Sequence, residues 1–377
     1  MIAEENALRE ERVCRLCGKE PVSLSRTLPV CLTCLRSNRG LVHPFIERAH
    51  HLSRKPFGLP ESVPRDSSGI TCQVCVNECQ ISDGRWGFCG LRTQRRGTIQ
   101  GVSSSRGNVD WYYDGLPTNC VADWVCPGGS GAGYPEFAHA DGPEYGYKNL
   151  AVFYHGCSFD CLFCQNWTHR EGLWNGKRVP SEALSQAVDD RTSCICHFGG
   201  DPTPQLPHAI DVSRRALKRA RGRILRICWE TNGSMNPALL KEVVELSLTS
   251  GGCIKFDIKA WSDSLHQALC GISSQRTKEN FERVAQWIRQ RPDPPLLIAS
   301  TLLIPGYIDE EEIRNISTWI ASLNPEIPYA LLVFYPHFLF KDVPVTSREL
   351  AVRCKEVAGK AGLRRVRIGN LHLLGES

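Results

Sequence analysis

The chain has 377 residues and a net charge of +5, with 42% hydrophobic residues and a mean hydropathy of -0.25. That suits one large folded domain with appendages, and the absence of any apolar run near about eighteen residues excludes a membrane span. The charged start MIAEENALREER lacks the apolar stretch of a secretory signal, so a cytoplasmic location is expected. Nineteen cysteines are the exceptional feature, and in a reducing compartment clustered thiols hold metal more often than they form disulfides.

In chain order, Cys14-x2-Cys17 and Cys31-x2-Cys34 form two knuckles separated by thirteen residues. Such a pair can bring four thiolates round one zinc or iron, which predicts a zinc-ribbon-like module over residues 1–40. The alternative is that one knuckle is a reduced loop pair. Residues 41–70, with scattered prolines and basic residues, read as a linker. Residues 71–147 then open with CQVCVNECQISDGRWGFCGLR, where Cys72, Cys75, Cys79 and Cys89 make a second four-thiolate set for structural zinc or iron. The Asp83-Gly84 turn folds the last of them back on the others. A metal-free loop of four exposed thiols would be an oxidation hazard.

From residue 148 short apolar runs alternate with amphipathic segments. The runs are 149–154, 193–198, 224–229, 253–258, 296–303, 330–335 and 365–368. Helix starts are signalled by Asn236 before Pro237, by Asp309 with Glu312, and by Thr346 with Glu349. This alternation predicts an α/β fold of parallel strands joined by helical crossovers, with its site at the C-terminal strand ends. The barrel spans residues 148–330, and residues 331–377 either complete it or serve as a cofactor platform. The densest basic run, SRRALKRARGR (213–223), reads as a solvated helix face rather than a nucleic-acid contact.

YHGCSFDCLFCQNW (154–167) follows the first barrel strand and holds Cys157, Cys161 and Cys164. Three thiolates can bind three irons of a 4Fe-4S cube and leave the fourth open to another ligand. A three-thiolate zinc site and a plain electron-transfer cluster are the alternatives. The CX3CX2C spacing, with Phe163 before the last cysteine, resembles the signature of radical S-adenosylmethionine (SAM) enzymes. That resemblance implies a partial (β/α)6 barrel, SAM chelated at the open iron, and cleavage of SAM to a 5′-deoxyadenosyl radical.

Further stretches are similar to elements of the same superfamily. FGGDPTPQ (198–205) resembles its GGE-type motif, implying that Gly199, Gly200 and Asp201 hold the methionyl end of SAM. CWETNGS (228–234) and KFDIKA (255–260) look like elements of the pyruvate formate-lyase activating branch. The likeness implies SAM contacts from Glu230, Asn232, Asp257 and Lys259, although strand-end polar residues can equally face solvent or pair across strands. LLIPGYID and VRIGN would give apolar backbone contacts to adenine. Cys194, Cys196, Cys228 and Cys253 read as small buried hydrophobes. Cys120 and Cys126, in a Gly/Pro-rich aromatic segment, could fold over the cluster mouth and let Tyr112 or Tyr113 occupy the open iron.

From Cys72 onward the chain resembles the AmmeMemoRadiSam-type proteins and, through GLPTNCVADWVCPGG and LLVFYPHFLFKDVPVTSREL, the methanogenesis-marker arginine methyltransferases of methyl-coenzyme M reductase. That likeness implies methylation of an sp3 carbon in a protein or peptide with cobalamin as methyl carrier, and a reductant such as ferredoxin or flavodoxin. The second reading is a radical SAM activating or modifying enzyme without cobalamin. A metal-stabilised nucleic-acid-binding protein is the distant alternative, distinguished by salt-dependent affinity for nucleic acid and no need of SAM.

Overall fold

A computed structural model describes residues 13–118 and 120–375. Its centre is a nine-stranded sheet. In chain order the strands are β1 (Arg106–Gly115), β2 (Lys148–Tyr154), β3 (Arg178–Pro180), β4 (Thr192–Gly199), β5 (Arg226–Thr231), β6 (Ile254–Asp257), β7 (Leu297–Leu303), β8 (Tyr329–Val333) and β9 (Val366–Gly369). Their spatial order is β9-β8-β7-β6-β5-β4-β2-β1-β3, so the two edges do not pair and the barrel is open. Each of the seven apolar runs supplies one of the parallel strands β2 and β4 to β9, while β1 and β3 extend the sheet antiparallel.

Strands such as β2 (KNLAVFY) are buried on both faces, as parallel strands under helices must be. Helices α1 (Leu32–Ser37) and α2 (Arg39–Arg54) precede the sheet, and the crossover helices are α3 (Leu206–Ala220), α4 (Pro237–Ser250), α5 (Asp263–Cys270), α6 (Gln275–Ala285), α7 (Glu310–Leu323) and α8 (Arg348–Lys360). Asn236 caps α4 by accepting from the Ala238 amide at 2.9 Å, and Asp309 caps α7 through the Glu312 amide at 3.0 Å. The α8 cap is Ser347, not Thr346: Ser347 accepts from the Leu350 amide at 3.2 Å. Thr346 is buried instead, accepting from the Phe334 amide and donating to the Leu303 carbonyl, both at 2.7 Å.

The stretch read as a linker carries a helix. Val42, Phe45, Ile46 and Ala49 give one apolar face to Arg39–Arg54, and Pro44 near its start removes one backbone bond without ending it. The knuckle segment before it packs on the barrel rather than standing apart. Arg36 reaches Asp309, Glu311 and Glu312 at 2.8–2.9 Å, and the Tyr307 hydroxyl accepts from the Ser25 amide at 3.0 Å.

The second cysteine segment is pinned to the strand ends. The Val76 amide donates to the Ser234 carbonyl at 2.8 Å, and the Asn236 amide to the Val74 carbonyl at 3.0 Å. After residue 330 the chain finishes β8, forms α8 and adds β9, so these residues complete the sheet. Among the described residues no helix is long and apolar enough to cross a membrane.

Candidate active site

Strand β2 ends at Tyr154, and Gly156 at φ +83° turns the chain out of the sheet into the three-cysteine loop. Four contacts seat that loop. The Asn77 amide group donates to the Ser158 carbonyl and the Asn232 amide group to the Ser158 hydroxyl, both at 2.8 Å. The Asp160 and Leu162 amides donate to the carbonyls of Cys270 and Leu269 at 2.9 and 3.0 Å. Cys157, Cys161 and Cys164 thereby line one pocket of about 190 Å³ at the C-terminal strand ends.

The other expected site residues lie on the same pocket: Phe163 from the loop, Gly199, Gly200 and Asp201 after β4, Glu230 and Asn232 at the end of β5, Asp257 and Lys259 at the end of β6. The two glycines are dictated by close packing. A Cβ on Gly199, at φ +123°, would sit 2.4 Å from the Tyr154 amide nitrogen, and one on Gly200 would sit 2.6 Å from both the Gly156 carbonyl and the His169 ring. Asp201 has a tying role, since its carboxylate accepts from the Thr203 and Asn232 amides at 2.7 and 2.6 Å and joins the loops after β4 and β5. Burial nevertheless pushes its carboxyl up to about 6. Lys255 bridges Glu230 at 3.0 Å and Asp257 at 2.8 Å, and Lys259 meets Asp257 at 2.8 Å. Leu302 and Asn370, from the two stretches expected near adenine, also line the pocket.

The residues present fit an anionic iron-sulfur cluster. Burial pushes the Cys157 and Cys164 thiols up, so a positively charged metal core is what would hold them as thiolates. Arg170 is buried to 1% exposure and lines the pocket, yet its Nη1 has no protein hydrogen-bond partner among the described residues. A buried guanidinium nitrogen without a partner is costly, and an anion in the pocket removes that cost.

The two four-cysteine sets differ in spacing. The thiols of Cys14, Cys17, Cys31 and Cys34 all lie within 4.8 Å of one another, with Cys14 to Cys34 at 3.9 Å and Cys17 to Cys31 at 3.7 Å. Zn–S bonds of about 2.3 Å place thiolates about 3.8 Å apart round a tetrahedral ion, so this set matches one ion. Among the described residues no other group of three or more donors is that tight. Cys72, Cys75, Cys79 and Cys89 line one cavity of about 10 Å³, roughly the room of one water, but no three of these thiols lie within 4.8 Å of one another.

Six further cysteines share a feature that strand reading missed. Cys194 and Cys196 on β4, Cys228 on β5 and Cys253 before β6 face the barrel interior and, with Cys120 and Cys126, line a chamber of about 320 Å³. Cys196 and Cys228 are register partners, and alternation along β4 puts Cys194, Cys196 and Phe198 on one face. The chamber shares Val121, Phe198, Glu230 and Lys255 with the cluster pocket. In the loop around Cys120, Val121 lines both spaces and the Cys120 thiol donates to Glu230 at 3.1 Å. The tyrosines are placed otherwise than expected. The Tyr113 hydroxyl donates to the Ala187 carbonyl, and Tyr112 lines the chamber against Phe198 rather than the cluster pocket.

Several site residues gave no local signal. Asp160, between two cluster cysteines, accepts from Ser53 at 2.8 Å, lies 2.8 Å from His50 Nδ1, and binds Arg170 at 3.0 Å. Those partners come from the helix in the supposed linker and from the turn Trp167–Arg170. Cys270, at the end of α5, sits with its sulfur 3.5 Å from that of Cys161.

A parallel α/β barrel with three thiols on the loop after its first parallel strand defines a class of protein, and comparison agrees. Residues 151–317 match the family model of the radical SAM superfamily, so the chain carries a radical SAM domain. An uncharacterised protein of Methanocaldococcus jannaschii is 22% identical over 315 residues, covering 81% of this chain and 83% of that protein. Pyruvate formate-lyase 1-activating enzyme of Escherichia coli K12 is 25% identical over 185 residues, 46% of this chain and 66% of that enzyme. The isethionate sulfite-lyase activating enzyme of Desulfovibrio desulfuricans is 31% identical over 153 residues, 39% of this chain and 45% of that enzyme.

Proposed function

We propose that this enzyme forms a 5′-deoxyadenosyl radical from SAM and uses it to abstract hydrogen from a side chain or backbone carbon of a protein or peptide. The observation that carries the reading is the convergence of Cys157, Cys161 and Cys164 with the polar ends of β4, β5 and β6 on one pocket. A 4Fe-4S cluster bound there supplies the electron that splits SAM into methionine and the adenosyl radical. The three thiols hold it, Asn232 and Asn77 keep their loop in place, and the Gly199-Gly200 backbone lies where the methionyl ammonium would be received. The paired charges of Glu230, Lys255, Asp257 and Lys259 orient the remaining polar groups of SAM. The adjoining chamber, with the exposed Tyr112 on its wall, is the space for the substrate group.

Two of the similar proteins are named as activating enzymes of other enzymes, which supports a protein substrate here. Ferredoxin or flavodoxin suits the single-electron supply. Residues 331–377 contribute the end of β8, α8 and β9, and with two activating enzymes among the similar proteins, activation or modification without cobalamin is the reading preferred over C-methylation of an arginine. The knuckle set would carry one zinc or iron, and the Cys72 set a second structural zinc or iron.

After anaerobic reconstitution with iron and sulfide, SAM and dithionite should yield 5′-deoxyadenosine from the wild type and none from Cys157→Ala. Methylated product in the presence of methylcobalamin and a candidate peptide would shift the reading to C-methylation.

A further inference from the structure

Arg170 is six residues beyond the last cluster cysteine and has a role that no motif assigns. Its guanidinium is buried, lies over the Phe338 ring at 4.5 Å from the centroid, and donates from Nη2 to Asp160 at 3.0 Å. Asp160 does not neutralise it. The same carboxylate accepts from Ser53, meets His50 at 2.8 Å and faces a second buried arginine, Arg54, at 3.5 Å. Two buried guanidiniums therefore share one carboxylate. Arg54 spends its Nε and Nη2 on the carbonyls of Pro60 and Phe88, each at 2.5 Å, and its ring partner is Phe88. Arg170 keeps Nη1 without a hydrogen-bond partner among the described residues and lines the pocket with the three cysteines.

We propose that Arg170 sets the reduction potential of the cluster, with Asp160 as the positioning residue that holds its guanidinium in the pocket of the three cysteines. This rests on a cluster occupying the three thiols. Each added electron makes such a cluster more negative, and net charge and hydrogen bonds to its sulfurs tune its potential. A fixed, buried positive charge stabilises the reduced form most, because low-dielectric surroundings weaken its screening. The form favoured is the one able to give an electron to SAM. Lysine would keep the charge without the planar fork that bonds Asp160 and leaves a second nitrogen for the pocket, and glutamine would remove it.

The test is an EPR-monitored redox titration of reconstituted full-length protein without SAM, on wild type, Arg170→Lys and Arg170→Gln, with iron and acid-labile sulfide counted in each. Arg170→Gln should retain the cluster but lose at least tenfold in the reduced-to-oxidised ratio at a fixed potential, a drop of about 59 mV for one electron, with Arg170→Lys between it and wild type. An unchanged midpoint in Arg170→Gln with a full cluster overturns the proposal. So does loss of iron in both variants with no shift in the fraction that remains, which is what a purely structural arginine predicts. Since SAM is omitted, the result stands apart from whether the protein cleaves SAM.

Discussion

Asp160 shows how one side chain decides whether the catalytic loop forms. It is fully buried, and ion pairing and hydrogen bonding from His50 and Arg54 hold its carboxyl well below the usual range against the desolvation that would raise it. Asp160→Asn leaves Arg170 and Arg54 buried without their anion, and breaking a buried pair from one side costs about 3–5 kcal/mol. Denaturant unfolding of the metal-free protein should show a loss of that size, while a change under about 1 kcal/mol would mean the network is not coupled to global stability. The cluster cysteines were legible because their spacing is local. Asp160 was not, since its partners His50 and Ser53 are 110 and 107 residues away in sequence. His50, Ser53 and Arg54 do share a helix face, but that reads as a face only once the stretch is known to be helical.

At the scale of elements, apolar runs revealed every parallel strand because burial on both faces leaves little room for polar residues. The helix Arg39–Arg54 was hidden by Gly40 and Pro44, which are breakers by local rule, and by its many basic residues. The α8 cap was misplaced by one residue because Thr346 and Ser347 are both good caps and only packing chooses between them. Strand alternation also held more than was taken from it, as the inward row of thiols on β4 and β5 follows from period two. The knuckle element gives a direct expectation. Cys17→Ser should remove close to one zinc or iron per chain by elemental analysis, without loss of acid-labile sulfide. Loss of sulfide with the metal would show that this set holds a cluster instead.

At the scale of the whole molecule, buried neutral histidines make acid the weak point. Burial pushes His197 down to about 3 and His208 and His266 down to about 4. Unfolded, each titrates near about 6.5. A group whose folded value is depressed contributes stability above the unfolded value and loses it as pH falls toward the folded one. By pH 5 each therefore withdraws roughly 2 kcal/mol. Asp201, raised to about 6, acts in the opposite sense and returns roughly 1 kcal/mol over the same range. The denaturation midpoint of the metal-free protein should thus fall between pH 7 and pH 5, and a flat profile would show that these imidazoles are hydrated. In the basic helix, Arg214 and Arg215 pair with Glu242, Asp211 and Glu182.

The claim on which the account turns is that the three-thiol cluster has an open iron that takes SAM. It is tested most directly by the EPR spectrum of the reduced, reconstituted protein before and after SAM is added. The account predicts a SAM-induced shift in g values. An identical spectrum with and without SAM, on a fully loaded cluster, would contradict it and leave an electron-transfer centre.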